Sequence, residues 1–107
     1  MLNSILGMIK YELVLVLPGG IEDEKLLTLS EKIKKVIKSV KASIVKEVDW
    51  GTKKLAYPIK KSKIGHYFFW ELDIPKTNIK ELHRLFNFET EVLRYMLLKV
   101  ATKDKNS

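Results

Sequence analysis

The hydrophobic and polar positions of the chain repeat with two different periods, and the period changes several times along it. Residues 10–17, KYELVLVL, are rich in β-branched and aromatic side chains and apolar on both faces in their second half, which is typical of a central strand. Between Leu26 and Val40 the apolar residues recur at steps of three and four, with lysines between them. This spacing predicts an amphipathic helix, and the acids at residues 22–24 fall in its first turn, where they complement the helix dipole.

A half-exposed strand is predicted after this helix, where the period changes to two and Ile44, Val48 and Trp50 share one apolar face. Glycine inside a strand often marks a bulge, so a bulge is predicted at Gly51. Pro58 has no amide hydrogen and is therefore expected on a sheet edge or beyond the hydrogen-bonded ladder.

The second half of the chain repeats the alternation of strand and helix. Residues 60–65 are predicted to turn the chain into a strongly apolar strand at residues 65–74, GHYFFWELDI, which has aromatic residues on both faces. An apolar stripe then predicts a second helix, for which Asn78 and Glu81 form a variant of the capping box. Residues 92–100, VLRYMLLKV, are the last predicted strand.

The predicted order is strand, helix, strand, strand, helix, strand, which contains two strand-helix-strand units. With right-handed crossovers this order gives an α+β fold, the ferredoxin-like split βαβ sandwich (βαββαβ), in which a four-stranded antiparallel sheet carries two helices on one face. The first and third strands are central in this topology, and they are the two most apolar strands here. We expect a single domain at residues 8–100, a flexible extension at residues 1–7 and a flexible polar tail at residues 101–107.

Composition excludes several classes of function. The 107 residues fit one domain, and no segment approaches the roughly 20 apolar residues that a membrane-spanning helix requires. Cysteine is absent, which excludes disulfides and thiolate metal sites and fits a reducing cytosol. Nothing ties His66 or His83 to a nucleophile or a metal partner, and no GxxxxGK or GxGxxG motif is present. We therefore expect no enzyme and no bound metal, cofactor or small-molecule substrate.

Net charge is the compositional feature that points to a partner. The chain carries +7, but residues 1–50 hold eight basic and seven acidic side chains, and residues 66–107 hold seven and six. The remaining excess lies within residues 51–65, which contain no acid and five lysines: Lys53, Lys54, Lys60, Lys61 and Lys63. Clustered lysines release counterions from phosphates, so this distribution favours a polyanion such as nucleic acid. The alternative is a solvated, lysine-rich hairpin that keeps the protein soluble.

Three stretches of the sequence carry a family resemblance. They are MIKYELVLVLPGG (residues 8–20), DWGTKKLAYPIKKSKIGHYFFWELDIP (residues 49–75) and VLRYMLLKV (residues 92–100), and the most specific piece is G-x-K-x-L-A-Y-P-I-K at residues 51–60. In order and spacing they closely resemble the family of bacterial small-subunit ribosomal protein six. Thr52 departs from the family pattern, in which arginine or lysine is common at that position.

The resemblance implies the ferredoxin-like fold and a structural role in the cytoplasmic ribosome. It implies binding to the central domain of small-subunit rRNA as a heterodimer with small-subunit ribosomal protein eighteen. The residues expected to contact rRNA are those of the basic segment, Lys53, Lys54, Lys60, Lys61 and Lys63, together with Arg94 and Lys10 on adjacent strands. For Arg94, an ion pair with a neighbouring carboxylate is the alternative interpretation.

The partner protein is expected on the open face and edge of the sheet, where the candidate contacts are Trp50, Tyr57, Tyr67 and Tyr95. The alternative for Trp50 and Tyr67 is that they complete the core. A stand-alone RNA-binding regulator with stacking like that of the RNA-recognition motif is a second possible function. The third strand fits that motif poorly, because KIGHYFFW places its glycine away from the positions that the motif requires. A metabolite sensor or enzyme of the same fold is a third.

Overall fold

The computed structural model describes residues 7–100, so residues 1–6 of the predicted flexible extension and the whole predicted tail lie outside the described residues. The elements follow the predicted order: β1 (Met8–Pro18), α1 (Asp23–Ser39), β2 (Ser43–Ile59), β3 (Ser62–Pro75), α2 (Ile79–Phe88) and β4 (Arg94–Lys99). A short 3-10 helix at Lys76–Asn78 precedes α2.

The four strands form one antiparallel sheet in the order β2-β3-β1-β4. The central strands are β1 and β3, which confirms the predicted ferredoxin-like topology and agrees with their apolar sequences. Pro58 lies on the edge strand β2, as its missing amide hydrogen predicts. Neither helix within residues 7–100 is long and apolar enough to cross a membrane.

The core lies between the two helices and one face of the sheet. Its most deeply buried side chains come from alternate positions of the central strands and from one stripe of each helix: Leu13, Leu15, Leu17, Trp70, Leu72, Ile74, Ile33, Ile37, Leu82 and Phe86. Full burial of one such side chain contributes roughly 1.5–3 kcal/mol, so this layer is the main source of stability.

The opposite face of the sheet is not covered by a helix of the described residues. Its middle is an apolar row that crosses all four strands, because Val14 on β1 lies opposite Met96 on β4 and Phe69 on β3, and Phe69 lies opposite Val48 on β2. We call these four residues the open-face row. Met96 is 51% exposed, so part of this apolar surface is in contact with solvent.

The hairpin between β2 and β3 is longer and its turn is tighter than predicted. Ile59 pairs with Ser62, so the turn consists of Lys60 and Lys61 alone. Their φ angles are 48° and 71°, and positive φ at both central residues is a feature of two-residue type I′ turns. Such turns are usually signalled by Asn-Gly or Asp-Gly, which a Lys-Lys pair does not resemble. The predicted turn at residues 60–65 begins at the right residue but is four residues too long, because β3 already begins at Ser62.

Two irregularities in β2 decide which face each of its side chains occupies. Gly51 has a φ of 81° and the register with β3 shifts just before it, which confirms the predicted bulge. A second shift follows Ile44, which lies opposite Leu72 on the helix-covered face, whereas Val48 lies opposite Phe69 on the open face. The prediction that Ile44 and Val48 share a face is wrong because this second bulge reverses the alternation.

The predicted capping box at the start of α2 does not form. Asn78 is the N-cap residue but makes no side-chain capping bond. Its side-chain amide instead donates from Nδ2 to the carbonyl oxygen of Val40, 2.8 Å away. Asn78 therefore ties the start of α2 to the end of α1, a long-range contact that local sequence does not reveal.

Candidate nucleic-acid interface

The hairpin formed by β2 and β3 is fixed against the start of β4. Lys60, in the turn, donates from Nζ to the carbonyl oxygens of Thr90 and Val92, both at 3.1 Å. The hydroxyl of Tyr57 accepts a hydrogen bond from Arg94 Nη2, also at 3.1 Å. Since β2 and β4 are the two opposite edges of the sheet, these contacts carry the hairpin across the end of β1.

Gly65 allows the hairpin to approach β1 closely. A Cβ atom at this position would lie 2.7 Å from Cγ1 of Val16 and 3.1 Å from Cδ2 of Leu55. A larger residue at position 65 would therefore push Leu55 and the hairpin away from β1. This close approach creates the surface on which the predicted binding residues lie.

Four of the five predicted hairpin lysines are available to a ligand. Within residues 7–100 no ion pair occupies Lys53, Lys54, Lys61 or Lys63. Lys60 differs, because its ammonium group already donates to two carbonyl oxygens. Three of the available lysines line a shallow groove of about 330 Å³ with two neighbours: Lys53, Lys54, Lys63, Thr52 and Ile64. The structure thus gathers the predicted positive charge at one end of the hairpin. Lys53 lies opposite Gly65 on the open face, whereas Lys54 lies opposite Ile64 on the other face.

Arg94 lies on the open face, opposite Val16 of β1. The ion pair considered as its alternative role does not form, since no described carboxylate lies within ion-pair distance of it. The hydrogen bond between Arg94 and Tyr57 raises the pKa of Arg94 and lowers the pKa of Tyr57. An arginine has five N–H donors, and Tyr57 engages one of them, so a phosphate can still be bound by the fork of the guanidinium.

Lys10 lies at the other end of β1 and does not join this cluster. Arg94 pairs with Val16, and the six steps along the strand from Lys10 to Val16 span about 20 Å at roughly 3.4 Å per residue. Lys10 also has an acidic partner, because its Nζ lies 3.4 Å from Oδ1 of Asp73. The structure therefore brings the hairpin lysines and Arg94 together but separates Lys10 from them.

A side-chain clasp that sequence analysis missed holds the bulge in β2. Oδ1 of Asp49 accepts a hydrogen bond from the amide of Gly51 at 2.7 Å and lies 2.7 Å from Nε2 of His66. Partial burial raises the pKa of Asp49, but the hydrogen bonds from His66 and Gly51 outweigh burial and leave this pKa below its ordinary value. The pairing of Asp49 with His66 depends on the register between β2 and β3, so spacing in the sequence does not predict it.

Trp50 and Tyr67 lie on the open face and do not complete the core beneath the helices. Trp50 is 47% exposed, and its ring stacks on Phe69 with 5.3 Å between centroids and 10° between planes. Tyr67 is half-buried opposite Val16, and Nζ of Lys53 lies 5.7 Å from the centroid of its ring. The interpretation of Trp50 and Tyr67 as core residues is therefore wrong.

Tyr95 lies on the helix-covered face, so the prediction that it faces the open side is wrong. Side chains alternate along a strand, and its neighbour Arg94 occupies the open face. The ring of Tyr95 packs edge-on against Phe86 of α2, with 4.9 Å between centroids, and its hydroxyl donates to Oδ1 of Asn87 at 3.2 Å. Burial raises the pKa of Tyr95. Tyr95 serves the packing of α2.

Sequence analysis also missed apolar residues of the open face. Met96 and Leu98 of β4 are 51% and 49% exposed, and Phe69 lies on the same face of β3, separated from Met96 by Val14 of β1. The strand sequence VLRYMLLKV is apolar at almost every position, so alternation does not indicate which of its residues face the helices. Within residues 7–100 no group of three or more His, Cys, Asp or Glu side chains is placed to hold a metal ion.

Known proteins are similar to this chain in sequence and in fold. Residues 10–99 match the family model described as Ribosomal protein S6. The chain belongs to the ribosomal protein S6 family. Small ribosomal subunit protein bS6 of Citrifermentans bemidjiense is 37% identical over 93 residues, which cover 87% of this chain and 69% of that protein. The same protein of Geobacter metallireducens is 36% identical over 91 residues, or 85% of this chain and 77% of that protein.

A solved structure agrees with this membership. The crystal structure of 30S ribosomal protein S6 from Thermotoga maritima covers 87% of this chain and 88% of that chain, with a TM-score of 0.75 and 26% identity. The curated relatives are structural proteins of the small ribosomal subunit, a family not known to be enzymatic, so the prediction of a non-enzymatic protein is confirmed.

The part of the sequence that most resembles the ribosomal protein S6 family is also the part that shapes the hairpin. Within GTKKLAYPIK, residues 51–60, Gly51 forms the bulge, Tyr57 accepts the hydrogen bond from Arg94, and Lys60 binds the carbonyls before β4. These three features fix the direction of the hairpin, while Lys53 and Lys54 stay exposed on it. The motif therefore combines a rigid frame with available positive charge.

Proposed function

We propose that this member of the ribosomal protein S6 family binds the central domain of small-subunit rRNA through the hairpin end of its sheet. We define the hairpin end as Lys53, Lys54, Lys61, Lys63 and Arg94. The observation that carries the proposal is that these five cations lie on one anchored hairpin and at the start of β4, which the hairpin contacts, without an acidic partner among the described residues. Elsewhere lysines do have such partners, for example Lys10 with Asp73 and Lys34 with Glu47.

Phosphate groups are the chemistry that this surface fits. Clustered lysines gain affinity from the release of counterions condensed on RNA, and the planar fork of Arg94 suits bidentate contact with a phosphate. Lys60 and the Asp49 clasp already fix the hairpin, so less conformational entropy is lost when it docks. Contacts to the sugar-phosphate backbone position a protein on RNA and read its shape more than its base sequence.

We also propose that small-subunit ribosomal protein eighteen binds the open-face row together with Trp50. Apolar side chains there are unusually exposed, since Trp50, Met96 and Leu98 are each about half accessible. Aromatic residues and methionine are enriched at protein interfaces, and charged residues are depleted in their centres. Because Lys53, Lys63 and Arg94 of the hairpin end lie on the same face of the sheet as this surface, a protein bound on the row can contact RNA held there.

A stand-alone RNA-binding regulator is the second candidate. Tyr67 and Phe69 both lie on the open face of the central strand β3, where the RNA-recognition motif places its base-stacking aromatics. Trp50 covers Phe69 by stacking on it, however, which leaves less of that ring for a base. The stand-alone role is therefore supported less well than the ribosomal one.

The proposal is tested by titrating the full chain with a fragment of the small-subunit rRNA central domain, first alone and then with protein eighteen present. We expect tight binding only with both proteins. Five phosphate contacts also predict that log affinity falls with log salt concentration with a slope of about −3.5 to −4.5. Equal affinity without protein eighteen would support the stand-alone regulator. No binding in either condition would contradict the rRNA function.

A further inference from the structure

A small cleft lies between the hairpin and the sheet at the hairpin end. Its volume is about 150 Å³, and Leu55, Tyr57, Tyr67 and Arg94 are among the residues that line it. Val16, which is only 4% exposed, also lines it from β1. An apolar cavity of about 150 Å³ accommodates a ligand the size of benzene, whereas pockets for drug-sized molecules measure roughly 300–1,000 Å³. The cleft therefore has room for one ring.

Each aromatic side chain of the cleft has a cation beside it. Arg94 donates to the hydroxyl of Tyr57 at 3.1 Å, and Nζ of Lys53 lies 5.7 Å from the ring centroid of Tyr67. Residues 51–65, which form the turn of the hairpin and the strand segments next to it, contain no acidic side chain. A nucleotide has the matching chemistry, since its base is flat and apolar on its faces and its phosphate is an anion a few ångströms away.

We infer that this cleft is a subsite for one unpaired nucleotide, with the base in the space lined by Tyr57 and Tyr67 and the phosphate on the guanidinium of Arg94. This inference rests on the proposed RNA-binding function and adds to it one place where a base is contacted. A base inside a helix is stacked and paired, so only a nucleotide from a loop, bulge or strand end can enter.

An apolar side chain of a protein partner is a weaker match for the same space. Such a side chain needs the apolar walls but makes no use of Arg94 or of Lys53 beside them. The exposed apolar surface that suits a protein lies on the open-face row and Trp50. The inferred nucleotide and the proposed protein partner therefore have neighbouring but different sites on the open face.

The subsite is tested with uridine 5′-monophosphate, whose base is a single ring, added to the full chain and monitored by NMR of the Tyr57 and Tyr67 rings and of the Arg94 Nε–H group. We expect saturable shifts of these three residues with a Kd on the order of 1 mM, as is usual for one ring and one ion pair. Uridine and inorganic phosphate, each of which supplies one half of the ligand, are expected to bind at least about tenfold more weakly.

Two variants separate the contributions of base and phosphate. Ala56 lines the cleft and is exposed, so Ala56→Leu fills the space without disturbing the core. It is expected to weaken the nucleotide about tenfold or more and to leave the weak binding of inorganic phosphate unchanged. Arg94→Lys keeps the charge but removes the fork, and a loss of about three- to tenfold is expected. Lys10→Gln, at the other end of β1, is the control and should change the Kd by less than about twofold.

The outcomes distinguish this subsite from the proposed rRNA function. Lysine-dependent binding of the rRNA fragment without any shift of Tyr57 and Tyr67 at tens of millimolar nucleotide would overturn the subsite alone. Displacement of the nucleotide by protein eighteen in the absence of RNA would assign the cleft to the protein partner and would also overturn it. Nucleotide binding that Ala56→Leu and Arg94→Lys both weaken, with Lys10→Gln unchanged, would establish it.

Discussion

The two ends of the open sheet face are built on the same strands but differ in the surroundings of their charges. At the hairpin end, Arg94 and Lys53 lie beside tyrosine rings and have no acidic partner among the described residues. At the far end, Lys10 pairs with Asp73, and Glu12 lies opposite a second glutamate on β3. An exposed ion pair contributes little to stability but neutralises the charge that a ligand needs. The presence or absence of partners, more than the number of basic residues, distinguishes a binding surface from an ordinary one.

The lack of acidic partners at the hairpin end also affects the stability of the free protein. Like charges held close together repel one another, so the cluster does not stabilise the free protein. The hairpin stays in place because other contacts hold it, chiefly Lys60 on its two carbonyls and Asp49 on the bulge. A surface that is unfavourable alone and favourable beside a polyanion is what a phosphate-binding role requires.

The largest effect is expected when the charge of the hairpin end is removed. Replacing four lysines by glutamine, at Lys53, Lys54, Lys61 and Lys63, should weaken binding to the rRNA fragment on the order of 10³-fold near 0.1 M salt, because four phosphate contacts are lost. Filter binding or fluorescence anisotropy in the presence of protein eighteen measures the change.

A control variant with the same net charge isolates the role of position. Its four glutamines replace exposed lysines of the helices, Lys25, Lys35, Lys38 and Lys80. We expect this variant to lose less than about tenfold in affinity, since only the long-range field changes. Equal losses of RNA affinity in the two variants would show that lysines of the hairpin end contribute no more to binding than lysines of the helices.

A second test concerns the shape of the hairpin. Gly51 has a φ of 81° with no atom within 4 Å of a Cβ built there, so Gly51→Ala costs backbone strain alone. That strain should lower the free energy of unfolding by about 1–2 kcal/mol, as urea denaturation would measure. Gly20→Ala, where φ is 73°, carries the same strain in the loop before α1. Only Gly51→Ala should also weaken RNA binding. An equal loss of RNA affinity in Gly20→Ala would show that the bulge does not contribute to binding.

The two lysines of the turn provide a third, smaller comparison. Both have positive φ, so substitution by glutamine changes the backbone in the same way, but only Lys60 makes hydrogen bonds to the loop before β4. Lys60→Gln should lower the free energy of unfolding by about 1 kcal/mol, and Lys61→Gln by less than about 0.5 kcal/mol. Lys61→Gln should instead affect RNA affinity more than stability. A larger loss of stability in Lys61→Gln than in Lys60→Gln would show that Lys60 does not anchor the hairpin.

The smallest effect is expected from pH at the clasp of the bulge. The pKa of Asp49 is lower in the folded protein than in the unfolded chain, so its contribution to stability is present above the unfolded value of about 3.9 and is lost as the pH falls through the folded pKa. Asp49→Asn keeps a hydrogen-bond acceptor but cannot titrate. Its melting temperature should therefore fall less steeply than that of the unchanged chain between about pH 4 and pH 2. Identical slopes would show that the carboxylate does not stabilise the bulge.

Structural elements could be predicted from the sequence where one pattern extends over many residues. Contacts that depend on the register between strands could not. The two helices, the central strands and the topology follow from periodicity, because a whole face of each element has to be apolar. The bulge after Ile44 reverses the alternation that had placed Ile44 and Val48 on one face, and a Lys-Lys pair forms a turn that normally contains glycine. The predicted basic segment does lie at one end of the hairpin, but the contacts of Lys60 and Tyr95 arise from packing between distant segments.

The central claim is that the unpaired cations of the hairpin end contact the phosphates of small-subunit rRNA. Its most direct test is the slope of log affinity against log salt concentration, measured for the unchanged chain and for the variant lacking Lys53, Lys54, Lys61 and Lys63, each with protein eighteen present. Loss of four phosphate contacts predicts a slope that is less steep by about 3 to 3.5. Two parallel lines, with affinity lowered by the same factor at every salt concentration, would contradict the claim.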